Sequence, residues 1–268
     1  MMYLGVVGYP IKHSVSPAMH NAALKALNIE GIYLPFEVKP YEFGKAILGA
    51  KALGFKGLNI TIPYKEEVLK FVRAEDVAAK IDAVNTVDLT SMLGYNTDVY
   101  GAIRALEENG IDIEDKISLV VGAGGAGKAV AFGLIERGST VIITNRTADR
   151  GMKVAESLRR YGECIFYPYN KIEELKGKID IIVNATPLGM KGFEIRLPIP
   201  ATLLDNVVVF DTVYNPPETL LIREAKKRGC KVVYGLDMLV YQGAEAFKIW
   251  TGFDPPIKIM KEAAKSAL

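Results

Sequence analysis

Two side chains in the first hundred residues have the chemistry to move a proton. Lys65 ends the run Asn59-Ile-Thr-Ile-Pro-Tyr-Lys65, and Asp98 ends Asn96-Thr-Asp98. A lysine ammonium, with an ordinary pKa of about 10.4, is a charged acid at neutral pH, and burial brings such a group toward the range where it also works as a base. Lys65 follows Pro63 at the mouth of an expected helix, an end that favours anions. It is either a solvated lysine or a proton-transfer group. Asp98 also has two readings: the N-cap of a helix over residues 99–109, or a carboxylate beside a bound ligand.

Neutral hydrogen-bonding residues occur near both in the chain. Ser14 and Ser16 lie in the loop after an apolar strand over residues 3–8, where two hydroxyls can hold a carboxylate or a ring hydroxyl. Ser16 doubles as an N-cap, with Pro17 in the first helical position. Alternation along the strand that begins at Gly57 puts Leu58, Ile60 and Ile62 on one face and Asn59 and Thr61 on the other. Asn85 and Asn96 fall on two short strand edges or turns, with Gly94 marking the turn between them. Gln242 is the conspicuous polar member of a long apolar helix from Gly235 to Trp250. His13 and His20 are the only imidazoles and lack the cysteine or carboxylate neighbours of a zinc site, so no metal is expected.

A second kind of chemistry begins at Gly122-Ala-Gly-Gly-Ala-Gly127, which closes the apolar run Leu119-Val-Val121. Gly-x-Gly-x-x-Gly between a strand and a helix is a dinucleotide-binding turn. The first glycine makes the turn, the second admits a pyrophosphate to the backbone, and the third lets helix and strand pack closely. An NAD site calls for an acid about 20 residues further on, at the end of the next strand. This chain has Asn145-Arg-Thr147 there, and Arg146 can pair with a 2′-phosphate that an acid would repel. NADP is therefore the expected cofactor. Arg150 and Lys128 are assisting cations or plain surface charges. Asn184-Ala-Thr-Pro-Leu-Gly-Met190 and Tyr214 follow later strands at the ligand-bearing edge.

The elements that must position these residues alternate regularly from Lys116 onward. Strands are expected over residues 117–121, 140–144, 164–167, 179–184, 207–211 and 231–234, separated mostly by helices, which describes an α/β doubly wound parallel sheet. Before it, strands are expected at residues 3–8, 32–37 and from 57, with helices from Ser16 and over 41–53, the latter presenting Phe43, Ile47, Leu48 and Leu53. Thr147 is expected to cap the helix running to Arg160, and a last helix covers residues 256–267.

Composition limits the partners. With 268 residues, 50% of them hydrophobic, the chain is long enough for two domains. Thirty-three basic against 31 acidic residues give no electrostatic case for nucleic acid or an anionic membrane. No apolar run approaches the roughly 18 residues of a membrane span. Cys164 and Cys230 form no Cys-x-x-Cys pair and read as core, and no leader precedes the first strand, so a reduced, cytoplasmic protein with a small-molecule partner is expected. A homodimer is compatible with the sequence.

Taken together these blocks resemble the shikimate dehydrogenase family. Gly8-Tyr-Pro-Ile-Lys-His-Ser-Val-Ser-Pro17, Asn59 to Lys65, Ala83-Val-Asn-Thr86, Asn96 to Asp98, the glycine turn, Asn145 to Thr147, Asn184 to Met190 and Tyr241-Gln-Gly243 come in the family's order over nearly the whole chain. The resemblance implies an N-terminal α/β substrate domain built from residues 1–100 plus 237–268, around an inserted Rossmann domain of residues 101–236. It implies NADPH-dependent reduction of 3-dehydroshikimate to shikimate. Lys65 and Asp98 match the catalytic pair, Lys65 as proton donor. Ser14 and Ser16, with Tyr214 nearby, match the carboxylate holders, and Asn59, Thr61, Asn85 and Gln242 the readers of ring hydroxyls. The cofactor set is Gly122, Ala123, Gly124, Gly125, Ala126, Gly127, Asn145, Arg146, Thr147, Arg150, Thr186, Val213, Gly235 and Met238. Pro187 stands where the family commonly has serine, and the loop from Met190 to Pro200 matches nothing that assigns it a role. A quinate/shikimate dehydrogenase using NAD or NADP is the nearest alternative, which Arg146 disfavours. A non-catalytic metabolite sensor would have no need of Lys65 and Asp98, and a folate-type dehydrogenase does not explain Ser14, Ser16 and Gln242 together.

Overall fold

The structure, a computed structural model, describes residues 1–11 and 14–268, so His13 lies outside the described residues. The chain divides into two compact units, Met1–Gly101 with Leu239–Leu268, and Ala102–Met238.

In the first unit, β1 (Met2–Gly8) leads to α1 (Ser16–Ala26), β2 (Gly31–Glu37), α2 (Phe43–Ala52) and β3 (Gly57–Ile60). Then come β4 (Arg73–Ala74), α3 (Asp76–Ile81), β5 (Thr86–Asp88), β6 (Leu93–Tyr95) and α4 (Thr97–Glu108). The strands form one mixed sheet in the order β2-β1-β3-β5-β6-β4. β1 is parallel to β2 and β3, whereas β5 is antiparallel to both β3 and β6. Each residue of β3 is buried, because the strand lies between two others. Phe43, Ile47, Leu58, Ile60, Tyr64, Val68, Val84 and Val87 make the core against it.

Several local expectations change here. Ser16 is not the N-cap: the helix counts from Ser16, Val15 holds the cap position, and the Ser14 hydroxyl accepts from the Ser16 N–H at 3.3 Å. The loop before the helix thus supplies the capping oxygen, and Ser14 has a structural role of its own. β3 stops at Ile60, and Ile62, beside the cis Ile62–Pro63 bond, is half exposed and not on the core face. Lys65 opens no α-helix, since only a 3-10 turn, Glu67–Lys70, follows it. Gly94 lies within β6 and makes no turn. A Cβ there would sit 2.8 Å from Val72 and Val84, so its smallness is a packing requirement. The turn is at Met92, which has φ 55°. In α2 only Phe43 and Ile47 are buried; Leu48 and Leu53 face solvent. β4 and α3 are too short to carry a readable periodicity.

The second unit contains β7 (Ile117–Val121), α5 (Gly125–Glu136), β8 (Thr140–Thr144), α6 (Ala148–Leu158), β9 (Cys164–Phe166), β10 (Ile181–Asn184), β11 (Val208–Asp211), α7 (Leu220–Lys227) and β12 (Lys231–Tyr234). All five pairings are parallel, in the order β12-β11-β10-β7-β8-β9, which is the doubly wound arrangement with its switch between β7 and β10. The inner strands β7, β8 and β10 are almost wholly buried, as a sheet covered on both faces requires, while the edge strands β9 and β12 are partly exposed. The connections on either side of β10 carry 3-10 turns, Tyr169–Leu175 and Ala201–Leu203, in place of helices. Thr147 does hold the N-cap position of α6, yet its hydroxyl makes no capping bond. Cys164 and Cys230 are buried free thiols, and burial pushes the Cys164 thiol up to about 12, so it stays protonated and inert.

The last helices are α8 (Gly235–Thr251) and α9 (Ile257–Ser266), and α9 packs on α1. The division between the units falls within α4 and α8. Among the described residues no helix is long and apolar enough to cross a membrane.

Candidate active site and cofactor turn

The expected residues fall into two sets. Ser14, Ser16, Asn59, Thr61, Lys65, Asn85, Asp98 and Gln242 belong to the first unit; Tyr214 and the cofactor set belong to the second.

In the first unit a buried carboxylate gathers the polar groups. Lys65 Nζ donates to Asp98 Oδ2, and their side chains are only 15% and 7% exposed. Asp98 Oδ1 accepts from Asn85 Nδ2 at 2.9 Å. Asp98 is not the cap of α4. Asn96 Oδ1 accepts from the N–H groups of Asp98 and Val99 at 3.1 and 3.4 Å, which leaves the Asp98 carboxylate for Lys65. Lys65 is held by its backbone, whose carbonyl accepts from Val84 N at 2.8 Å, and by buried Tyr64 next to it. The Tyr64 ring stacks on Phe43 at 4.2 Å, and its hydroxyl donates to the Val38 carbonyl.

Asn85 is the hub. Its Oδ1 accepts from Thr97 N at 2.7 Å, a bond that only an acceptor can make and that fixes which way the amide points. Its Nδ2 then faces Asp98, Thr97 Oγ1 at 2.9 Å and Gln242 Oε1 at 3.3 Å. Gln242, on α8, is tied back by Nε2 to the Leu239 carbonyl at 2.7 Å. Asn59 donates through Nδ2 to the Asn85 carbonyl at 3.2 Å and to Thr86 Oγ1 at 3.0 Å. One network therefore joins Lys65, Asp98, Asn85, Gln242 and Asn59. Ser14, Ser16 and Thr61 are not bonded to it through their side chains; Thr61 turns its methyl toward Gly8. Thr86, Thr97 and Asn96, which the sequence left without a role, complete the satisfaction of buried donors and acceptors that such a cluster demands.

In the second unit the glycine turn has the shape its spacing predicts. Gly122 has φ 112°, open to glycine at little cost. A Cβ on Gly127 would fall 2.0 Å from the Gly122 carbonyl oxygen, whereas one on Gly124 would meet nothing within 4 Å. The third glycine is thus required by helix–strand packing, and the second keeps clear the backbone face toward which the α5 N-terminus directs its N–H groups. The end of β8 is stitched to this turn: Ala123 N donates to Asn145 Oδ1 at 3.2 Å, and Arg150 Nε donates to the Ala123 carbonyl at 2.9 Å. Asn145 Nδ2 also donates to the Thr147 carbonyl at 2.8 Å. Arg150 is accordingly a brace of the turn as well as a candidate phosphate ligand. Arg146 next to it is exposed and enters no hydrogen bond or ion pair among the described residues. This donor set, a clear glycine backbone with an uncommitted guanidinium, fits a dinucleotide that carries a 2′-phosphate.

A second network holds the later loops and was missed in the sequence. Asp211, fully buried at the end of β11, accepts from Thr219 Oγ1 at 2.6 Å, Asn184 Nδ2 at 2.9 Å and Val213 N at 3.1 Å. Asn184 Oδ1 accepts from Thr186 N and Oγ1 at 3.1 and 2.7 Å. One carboxylate therefore fixes both the loop of Thr186 and that of Val213 and Tyr214. Burial pushes the Asp211 carboxyl up to about 6 even though all three donors pull it down. The available signal was a polar residue ending each apolar strand, Asn184 and Asp211. Gly235 starts α8 against the Thr212 carbonyl, where a Cβ would be 2.4 Å away, and Met238 is buried.

Comparison with known proteins places both sets in one family. Residues 6–87 match the shikimate dehydrogenase substrate binding domain, residues 104–189 the shikimate/quinate 5-dehydrogenase family and residues 235–265 the shikimate 5′-dehydrogenase C-terminal domain. A shikimate dehydrogenase (NADP(+)) of Archaeoglobus fulgidus is 65% identical over 100% of this chain and 99% of its own. One of Methanocella arvoryzae is 46% identical over the full length of both. The crystal structure of shikimate 5-dehydrogenase from Thermus thermophilus, in complex with NADP(H) and shikimate, superposes with a TM-score of 0.91 at 38% identity and covers both chains completely.

Proposed function

The chain belongs to the shikimate dehydrogenase family, and we propose that it catalyses the reversible NADPH-dependent reduction of 3-dehydroshikimate to shikimate, with Lys65 as the proton donor and Asp98 as its partner. NADPH supplies the hydride. Reduction of the ring ketone leaves an alkoxide, and the proton it takes comes from the Lys65 ammonium. In the oxidative direction neutral Lys65 receives the proton of the same hydroxyl. Asp98 keeps the lysine aimed through Oδ2 while Asn85 fixes Oδ1, so the pair does not need to reorganise when the charge moves. Ser14 and Ser16 hold the substrate carboxylate, and Tyr214 is a further substrate ligand. Asn59, Thr61, Asn85 and Gln242 read the ring hydroxyls.

The glycine backbone from Gly122 to Gly127 and the N-terminus of α5 take the pyrophosphate, and Arg146 takes the 2′-phosphate, supported by Asn145, Thr147 and Arg150. Thr186, Val213, Gly235 and Met238 line the remainder of the cofactor site. Residues 1–100 and 237–268 serve the substrate and residues 101–236 the cofactor, except that Met238 is assigned to the cofactor and Tyr214 to the substrate. The observation that carries the proposal is the buried Lys65–Asp98–Asn85 network, an acid with its orienting group in a bed of neutral hydrogen-bonding side chains.

The test mixes the purified protein with shikimate and NADP and follows the appearance of NADPH. Lys65→Ala is expected to bind NADP as the parent does and to lose about 10²- to 10⁴-fold in kcat. Near-normal turnover by that variant would remove Lys65 from the role of proton donor.

A further inference from the structure

Tyr33 contributes to the site from behind. It lies on β2, is fully buried, and stands two strands away from Asn59, since β1 separates β2 from β3. Its hydroxyl crosses that distance and donates to Asn59 Oδ1 at 2.7 Å. Its backbone is gripped at both polar groups by Asn21 of α1, whose Nδ2 donates to the Tyr33 carbonyl at 2.9 Å and whose Oδ1 accepts from the Tyr33 N–H at 2.8 Å. The ring is stacked on His20 at 4.2 Å with a 6° interplanar angle, and Trp250 packs on both rings. Backbone and ring are therefore fixed independently, and together they aim the phenolic tip at Asn59.

The consequence falls on Asn59. Both of its N–H bonds are used inside the protein, on the Asn85 carbonyl and on Thr86 Oγ1. The amide cannot turn over, because its oxygen would then face the Asn85 carbonyl, which has no proton to give. Tyr33 occupies one lone pair of Oδ1, and the second remains. Asn59 can therefore offer a ligand only an acceptor.

Resting on the dehydrogenase reading above, we propose that Tyr33 is a positioning residue for substrate binding: the Asn85 carbonyl fixes which way the Asn59 amide points, and the Tyr33 hydroxyl holds its Oδ1 in place as an acceptor that selects a hydroxyl donor on the ring. Tyr33 touches no reacting atom, so its removal acts on substrate affinity and leaves the proton transfer at Lys65 alone. Phenylalanine keeps the ring, the stack and nearly the volume, and deletes the hydroxyl.

The experiment compares the parent, Tyr33→Phe, Asn59→Ala and the double variant, measuring shikimate Kd by calorimetry, KM and kcat by NADP reduction, and Tm by melting. Tyr33→Phe is expected to raise Kd and KM for shikimate roughly five- to tenfold, the weight of one buried hydrogen bond, with kcat within about threefold of the parent. In the Asn59→Ala background the same change is expected to add less than about twofold, since the effect passes through Asn59. A lower Tm with unchanged Kd would mean that the hydroxyl only stabilises the fold, and would overturn the proposal. So would an equal effect of Tyr33→Phe with and without Asn59. A parent protein that neither binds nor oxidises shikimate overturns the dehydrogenase reading and this assignment with it, whereas an active parent matched in Kd by Tyr33→Phe overturns this assignment alone.

Discussion

Replacing His20 by leucine should change how stability depends on pH by an amount that follows directly from the structure. His20 is fully buried on α1 between Tyr33, Phe247 and Trp250, and neither ring nitrogen has a hydrogen-bond partner among the described residues. Burial lowers its pKa from 6.5 to about 3, so the folded protein keeps the ring neutral where the unfolded chain would protonate it. With the folded pKa depressed, stability is fully present above 6.5 and is lost as the pH falls toward 3. Each pH unit in that window costs about 1.36 kcal/mol for one proton. From about pH 7.5 to pH 5 only the 1.5 units below the unfolded value count, which gives about 2 kcal/mol. Leucine is close to histidine in volume and removes the titration. Any packing change it brings is the same at both pH values and cancels in the comparison. Urea unfolding of both proteins at about pH 5 and pH 7.5 gives the quantity, with Leu gaining about 2 kcal/mol on the parent as the pH falls. A difference that moves by less than about 0.5 kcal/mol would show that His20 charges or finds a partner within the fold, and the burial argument would be wrong.

Asp211 tilts the curve in the opposite sense. Its folded pKa is raised from 3.8 to about 6, so its contribution is fully present below 3.8 and is lost as the pH rises through 6, on the order of 3 kcal/mol in total. Between about pH 4 and pH 6 the two groups nearly cancel, and Asp211→Asn should uncover the His20 slope of about 1.36 kcal/mol per pH unit in urea titrations; an unchanged profile would refute this. Arg146→Ala is expected to lower kcat/KM for NADP about ten- to a hundredfold, the loss of a charge-assisted phosphate bond, and to leave kcat/KM for NAD nearly as it was. Equal losses with the two cofactors would show that Arg146 does not read the 2′-phosphate.

Much of the second unit was legible because its signals are local. An apolar run of about five residues closed by glycine, as after β7 and β12, or by a polar turn such as Asn145-Arg146 after β8, specifies strand and turn locally, so these three strands have the ends the sequence predicts. Where two local rules competed, sequence could not rank them. Serine before proline is a capping signal in isolation, but the Ser14 hydroxyl reaches the first turn before Ser16 can act. Asp98 is a good cap by residue type, yet Asn96 takes the helix N–H groups and the Asp98 carboxylate pairs with Lys65, 33 positions away. Gly94 resembled a turn residue and is in fact squeezed by Val72 and Val84.

By itself the sequence determined the parallel sheet, the glycine turn with the cation after the next strand, and the list of groups able to do the chemistry, because period, chirality and side-chain type are properties of neighbouring residues. Tertiary structure alone decided which of those groups share protons and which are buried. The Lys65–Asp98 pair, the Asn59 oxygen met by the Tyr33 hydroxyl, the neutral ring of His20 and the carboxylate of Asp211 all depend on partners drawn from other elements. Hydrogen bonding and desolvation act through space over a few ångströms, and the chain brings those partners together only when the sheets close.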